Sequence, residues 1–385
     1  MVLPGPFQQV TFVKTKEVQS IVKVKTGQTM MMGLAVLLIF FMVGCAEPAD
    51  QSPGSETKTI TDMAGRTVEV PTEVNSVLGL SSTNRFIVYL DAVDKMAGVR
   101  EMEQSRPYSM PWTMAIKSEI PDIPLFDESD FETIMALEPD LILSCSGDYT
   151  VDFSGQEAIQ KRTGIPVVIT KPYVCLAKNL DNFYETVKII GDLLGKEERA
   201  KELISGVEAI IDDLNERTRE IPDEEKPTVY VGGKSWAGSH GLTSTSSYYS
   251  AFEFVNAKNV AAEIGEENAF IDPEAIIAWD PDIIFIESAG GLELSLEELK
   301  EPKYQSLKAV KNNEVHKIFL KIWNNTNIEN VLINAYYVGS VLYPEKFSDI
   351  DFAKKADEIY ELFLGRPIYD EMVERFGEPG KINLK

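Results

Sequence analysis

Asp130-Phe-Glu-Thr-Ile-Met-Ala-Leu-Glu-Pro-Asp-Leu-Ile142 returns 142 residues later as Asp272-Pro-Glu-Ala-Ile-Ile-Ala-Trp-Asp-Pro-Asp-Ile-Ile284. Seven of the thirteen positions are identical, so the body of the chain reads as two similar halves. Each copy predicts a short helix, a proline that stops it, and a strand apolar enough to be buried on both faces. Further strand-like runs flank the copies. Ser76–Leu80 and Pro166–Thr170 bracket the first; Thr228–Gly232 and Val315–Lys321 bracket the second. Strands alternating with helical patterns predict α/β layers built on parallel sheets.

Between the halves, Leu203, Ile204, Val207, Ile210, Ile211 and Leu214 recur at helical spacing from Lys196 to about Glu220. At about 1.5 Å per residue that helix is roughly 36 Å long, enough to run beside both halves. Pro222 and Pro227 end it. A single stiff crossing of this kind limits hinge closure. The organisation predicted is a leader at 1–44, a tether at 45–57, an N-terminal lobe at 58–185, an interdomain helix at 186–222 and a C-terminal lobe at 223–385.

The leader carries Lys14, Lys16, Lys23 and Lys25, then a charge-free apolar run from Met30 to Ala46. That run has the length of a signal-peptide core. It ends in Met42-Val43-Gly44-Cys45 and passes into a polar, Pro/Ser-rich stretch without periodicity, the composition of a flexible tether. The pattern resembles a lipoprotein signal, with Cys45 the lipidated residue. An uncleaved single-pass anchor is the alternative. Both place the body outside the cytoplasm, attached to a membrane.

The formal charge of −24, from 37 basic and 61 acidic side chains, argues against binding a phosphate backbone. With two His and three Cys, the chain has too few soft ligands for a zinc cluster or an iron–sulfur centre. Cys145 and Cys175, with His240 as partner, are the only thiol nucleophile candidates of the body. No Gly-x-Ser-x-Gly elbow or phosphate-cradling loop accompanies them. A disulfide between the two remains open at this level, and no catalytic residue is assigned.

Thr59-Ile-Thr-Asp-Met-Ala-Gly-Arg-Thr-Val-Glu-Val-Pro71 resembles the opening β-hairpin of solute-binding proteins serving iron-complex and cobalamin ABC importers. The resemblance continues through Leu90–Val99, the two repeats, Asn259-Val260-Ala261, Leu307–Val315 and Tyr343-Pro-Glu-Lys-Phe347, over roughly 57–365. It implies two Rossmann-like lobes joined by one long helix, the class III helical-hinge fold. It also implies no intrinsic cofactor, and capture of a metal chelate in a cleft between the lobes. A ferric siderophore is the first expectation; a corrinoid of the vitamin B12 type, or haem, is the second. A bare ferric ion ranks below them. The implied partners are a permease dimer with its ATPase subunits.

Ligands of α/β folds sit where loops leave the carboxyl ends of strands. Those loops supply the candidates. Arg85 follows the first strand and can pair with an anionic chelate. Tyr108 and Tyr149 are wall residues of the N-terminal lobe. Trp236, His240, Tyr248, Trp323 and Asn325 are their counterparts in the other lobe, where aromatic faces with polar tips suit a flat ligand. Tyr248 and Tyr249 are also expected to open a helix, with one of them buried. His240 is at most an occasional metal ligand, its ordinary role being a loop hydrogen bond. His316 reads as structural. Glu132 and Glu274, the matched acids of the two repeats, are the permease-docking candidates; favouring the helix dipole is the alternative for both.

Overall fold

The computed structural model describes residues 56–384, excepting 81, 101–110, 117–119, 121, 124–129, 146–152, 173–174, 236–237, 239, 289–290 and 322–325. The leader, Cys45 and most of the tether lie outside the described residues, as do Tyr108, Tyr149, Trp236, Trp323 and Asn325.

The body opens with an antiparallel hairpin of β1 (Thr57–Thr61) and β2 (Thr67–Pro71), so the strand begins one residue inside the expected tether. Asp62 organises the turn. Its carboxylate accepts from the Ala64 and Arg66 amides and from the Arg66 guanidinium, and reaches across to the Ile169 amide at 3.2 Å. The hairpin is thereby pinned to the first lobe. Gly65 at φ +78 turns the chain.

The first lobe carries a parallel sheet of β3 (Val77–Gly79), β6 (Leu141–Cys145) and β7 (Val167–Thr170), in that order. The two-residue strands β4 (Val99–Arg100) and β5 (Asp122–Ile123) pair beside it. The second lobe carries β8 (Thr228–Gly232), β10 (Lys258–Asn259), β12 (Ile283–Glu287), β13 (Val315–Ile318) and β14 (Gly380–Lys381) in the order β10-β8-β12-β13-β14. All of its pairings are parallel except the last. A small pair, β9 (Ser244–Thr245) with β11 (Ala269–Phe270), lies in the loop region after β8. Every residue of β6 and β12 is buried, the condition that their unbroken apolar runs anticipate.

The repeat is structural as well as sequential. The first copy forms α2 (Phe131–Ala136), following α1 (Asn84–Tyr89); the second forms a helix at Pro273–Trp279. Each helix ends just before a residue of positive φ that precedes the proline, Glu138 at 47° and Asp280 at 44°. The aspartate after each proline then ties the new strand to the lobe's first. Asp140 Oδ2 accepts from the Asn75 and Ser76 amides at 2.7 and 2.9 Å. Asp282 Oδ2 accepts from the Thr228 amide and hydroxyl at 2.9 and 2.7 Å.

The long crossing helix expected from Lys196 to about Glu220 is present as Glu197–Thr218. A further helix, Leu180–Leu194, precedes it, and the boundary drawn at 186 falls inside that preceding helix. Gly195 at φ +67 ends that helix in the left-handed conformation. The pair packs closely at Gly191 and Ala200, where a methyl added to Gly191 would meet the Ala200 Cβ at 2.8 Å.

One apolar core joins what the sequence divides. It takes in Phe86, Phe183, Leu203, Phe285, Leu332 and Phe363, hence both sheets, the crossing helices and the C-terminal helices. Two smaller clusters fill the outer sides of the lobes. The helices at Ile328–Leu342 and Phe352–Leu364 return to α1. The Tyr89 and Phe363 rings meet edge to face at 4.9 Å, and Arg199 bonds the Tyr89 and Leu362 carbonyls together. The C-terminal helices thus brace the first lobe in addition to the covalent crossing.

Candidate functional site

Charged side chains converge, fully buried, at the carboxyl ends of the strands. Lys234 follows β8, Glu287 ends β12, and Lys321 follows β13; none is exposed to solvent. Gly233, at φ +70 and closely backed by Ile286 and Ser295, makes the turn that aims Lys234. Lys321 is placed by the first turns of the helix at Ile328–Leu342. Asn334 grips the Phe319 amide and carbonyl at 3.0 and 2.8 Å; Asn330 donates to the Leu320 carbonyl at 2.9 Å. The Asn327 amide donates to the Lys321 carbonyl at 2.8 Å.

Both ammoniums turn to one carboxylate, Glu267, whose side chain is 12% exposed. Lys321 Nζ donates to Glu267 Oε1. Lys234 Nζ stands 3.5 Å from the same oxygen, and donates to the Glu267 carbonyl at 2.6 Å and to Asn268 Oδ1 at 3.1 Å. Ser246 Oγ donates to Glu267 Oε2 at 3.2 Å. Glu287 stands apart from this pairing. Its Oε1 accepts from the Tyr249 hydroxyl at 3.2 Å, and its Oε2 is buried without a hydrogen-bond partner.

The electrostatics follow from burial and proximity. Burial works to raise the Glu267 carboxyl, but the Lys321 and Lys234 charges outweigh it and hold Glu267 below the usual range. Burial pushes Glu287 up to about 7 against the same two ammoniums. Burial, and then Lys321, bring Lys234 down to about 8. Burial works to lower Lys321 as well; Glu267 reverses it and holds that ammonium above its ordinary value. Near neutral pH the two ammoniums therefore face a firmly ionised Glu267 and a Glu287 that is close to its own titration.

The first lobe closes on this cluster through Cys175, after β7. Its Sγ donates to the Tyr248 carbonyl at 3.1 Å, and the Ala177 amide donates to Ser250 Oγ at 3.2 Å. Burial, with Glu267 nearby, pushes the thiol up. Cys145 and Cys175 are both buried and not joined to each other, so the pairing left open by the sequence is not formed.

Arg85 lies at the same junction, on the first-lobe side. The sequence offers it as a loop residue; in the structure it is a fully buried residue of α1, its Nη1 donating to the Thr326 carbonyl of the second lobe. Beside it, Glu329 is buried and accepts from the Tyr89 hydroxyl at 2.6 Å. Burial raises that carboxyl in spite of the Tyr89 bond and the Arg85 charge. Tyr249 caps the helix at Ser250–Glu253 and is the buried member of its pair, while Tyr248 is half-buried with Lys178 Nζ 4.9 Å from its ring centre. The His240 ring stands edge-on to Phe270 at 4.8 Å, and Phe270 is 62% exposed. His316 bonds the Tyr337 hydroxyl and Glu314 at 2.9 and 3.0 Å, a structural setting. Glu132 and Glu274 are both exposed in the first turns of their helices.

Lys234, Lys321, Glu267 and Glu287 were not among the sequence-derived candidates. The signal for Lys234, Lys321 and Glu287 was a charge at the end of an apolar strand, as in Ile283-Ile-Phe-Ile-Glu287; Glu267 had none. Concavities lined wholly by described residues lie elsewhere, on the helical flank. One of about 450 Å³ is bounded by Val88, Arg199, Glu361 and Phe363, and lacks the convergent buried charges of the strand ends.

Residues 77–318 match the family model described as periplasmic binding protein. An uncharacterised ABC transporter substrate-binding lipoprotein of Bacillus subtilis is 22% identical over 82% of this chain and 96% of its own. The molybdate-binding protein MolA of Haemophilus influenzae is 22% identical, over 80% and 90% of the two chains. Its solved structure with molybdate superposes with a TM-score of 0.63 at 20% identity, covering 80% of this chain and 98% of that one. The Fe(3+)-citrate-binding protein of Bacillus subtilis is 26% identical over 54% of this chain and 65% of its own. No helix among the described residues is long and apolar enough to cross a membrane. The chain belongs to the periplasmic binding protein family, as a solute-binding component of ABC transport.

Proposed function

We propose that the chain captures an anionic metal chelate outside the cytoplasm and hands it to the permease of an ABC importer. The observation that carries this reading is the buried pair Lys234 and Lys321 converging on the partly exposed carboxylate Glu267 at the strand ends where α/β folds bind ligands. A ferric siderophore or a ferric carboxylate complex suits that polarity, and among the relatives are a ferric-citrate binder and a molybdate binder. The exposed Phe270 beside His240 favours a second reading, a flat macrocycle such as haem or a corrinoid. The role is binding, without catalysis. Attachment is through a lipid on Cys45.

Titrating the body from Glu56 onward, which holds all three apolar clusters, tests the ligand. Tryptophan fluorescence should quench saturably with one class among ferric citrate, ferric hydroxamates, ferric catecholates, haem and cobalamin. No response from any, with no rise in melting temperature, rejects the chelate reading. Docking is assigned to Glu132 and Glu274, two exposed carboxylates related by the repeat and able to meet a two-fold partner. Glu132→Ala with Glu274→Ala should abolish uptake at unchanged affinity; weaker ligand binding would count against that assignment.

A further inference from the structure

The Lys234–Lys321 pair poses a question that the proposed function does not answer. Two ammoniums with no exposed surface converge on a single carboxylate. A buried cation is tolerable only while an anion and hydrogen-bond acceptors compensate it. Of the three groups, only Glu267 is reached by solvent. A second carboxylate, Glu287, lies within the same electrostatic neighbourhood yet leaves Oε2 without a partner.

We infer that Lys234 and Lys321 form a carboxylate-recognising subsite whose resting occupant is the chain's own Glu267, which an incoming ligand carboxylate displaces. The inference rests on the reading of the ligand as an anionic complex, and names the chemical group through which it is held. Glu267 is the part of the cluster that solvent reaches, so a carboxylate entering from outside meets its place first. Exchange is the economical route, because one carboxylate leaves as another arrives and the ammoniums are never left uncompensated. Glu267 turned outward regains hydration. Glu287, held largely protonated at mildly acid pH by burial, supplies an O–H at Oε2 that can donate to an oxygen of the entering group. Tyr249, bonded to Oε1, fixes its orientation.

The test uses Glu267→Gln in the body from Glu56 onward, with iron-free citrate and ferric citrate as separate calorimetric titrants. Glutamine keeps the shape of the resting occupant but removes its charge, so the internal competitor weakens. Citrate affinity should rise at least tenfold for either titrant. Glu267→Asp, which keeps the charge but shortens its reach, should raise affinity by less, and covers the case in which the glutamine variant does not fold. Unchanged or weaker citrate binding in the folded variants overturns the inference, as does failure of the wild type and both variants to bind citrate in either form. If ferric citrate and the other chelates fail while iron-free citrate binds more tightly to the variant, the chelate reading falls and the subsite stands.

Discussion

Glu287→Gln should stabilise the protein at alkaline pH and leave it nearly unchanged in mild acid. In the wild type Glu287 is raised by burial to about 7 from an ordinary 4.5. The native state therefore holds a proton that the unfolded chain has released, between those two values. Stability falls as pH rises through that window, because the unfolded state is the one that gains by ionising. Glutamine resembles the protonated acid in shape and hydrogen-bonding capacity, so near pH 5 the two proteins should melt together. Above pH 7 the wild type carries the whole cost of a buried carboxylate with one unpartnered oxygen. Moving that carboxyl from an ordinary 4.5 to about 7 corresponds to about 3 kcal/mol. For a body of about 330 residues that is roughly 4 °C in melting temperature. Glu267 works in the opposite sense, its lowered value contributing stability above about 4.5 that is lost on acidification in both proteins. Calorimetric or circular-dichroism melts of both proteins near pH 5 and near pH 8 give the answer. A variant no more stable than the wild type near pH 8 would mean that Lys234 and Lys321 hold Glu287 ionised, which refutes the reasoning.

Tyr89→Phe removes the hydroxyl bonded to buried Glu329, and should cost about 1–3 kcal/mol. Pairing it with Glu329→Gln should recover part of the loss in thermal melts, whereas a silent Tyr89→Phe would show that the bond contributes nothing. Gly291→Ala would drive a methyl into the His240 and Gly233 carbonyl oxygens. These are backbone atoms of the segment carrying Lys234, so the variant should melt lower by several degrees and bind ligand less tightly; an unaltered melt contradicts the close approach. Asp140→Ala and Asp282→Ala each delete an acceptor serving two donors at a strand start. Each should cost about 2 kcal/mol, and unequal denaturation midpoints would show that the repeat is not equivalent in energy.

Much of the fold was readable because the forces that make it are local. Leu141–Cys145 and Ile283–Glu287 announce buried parallel strands by lacking the alternation of a half-exposed strand. The proline of each repeat marks where helix gives way to strand. The crossing helix was legible for an equally local reason, its apolar residues recurring at helical spacing from just after Gly195. The helix before it, Leu180–Leu194, was absorbed into the neighbouring segments, and the boundary at 186 cut through it. The glycine, followed by Glu197 and Glu198 in a new first turn, was the punctuation. The return of the C-terminal helices to α1 had no such marker, because Tyr89, Phe363 and Arg199 meet only once the chain has folded.

The charged cluster was hidden by sequence distance. Glu267 lies 33 residues from Lys234 and 54 from Lys321, and no spacing rule connects such positions. Aromatic loop residues drew attention because their chemistry suits flat ligands wherever they stand. A lysine, by contrast, is an ordinary surface residue until its surroundings are known. Lys234 and Lys321 do share one local property: each follows the carboxyl end of a strand in the same sheet, flanking the strand that ends in Glu287. In a parallel sheet those ends open on one edge, so three charges placed there face a common space whatever the intervening loops do. Taken together, the strand assignments and that rule would have placed the two ammoniums beside Glu287. Only the arrival of Glu267, which closes no strand of that sheet, required the folded structure.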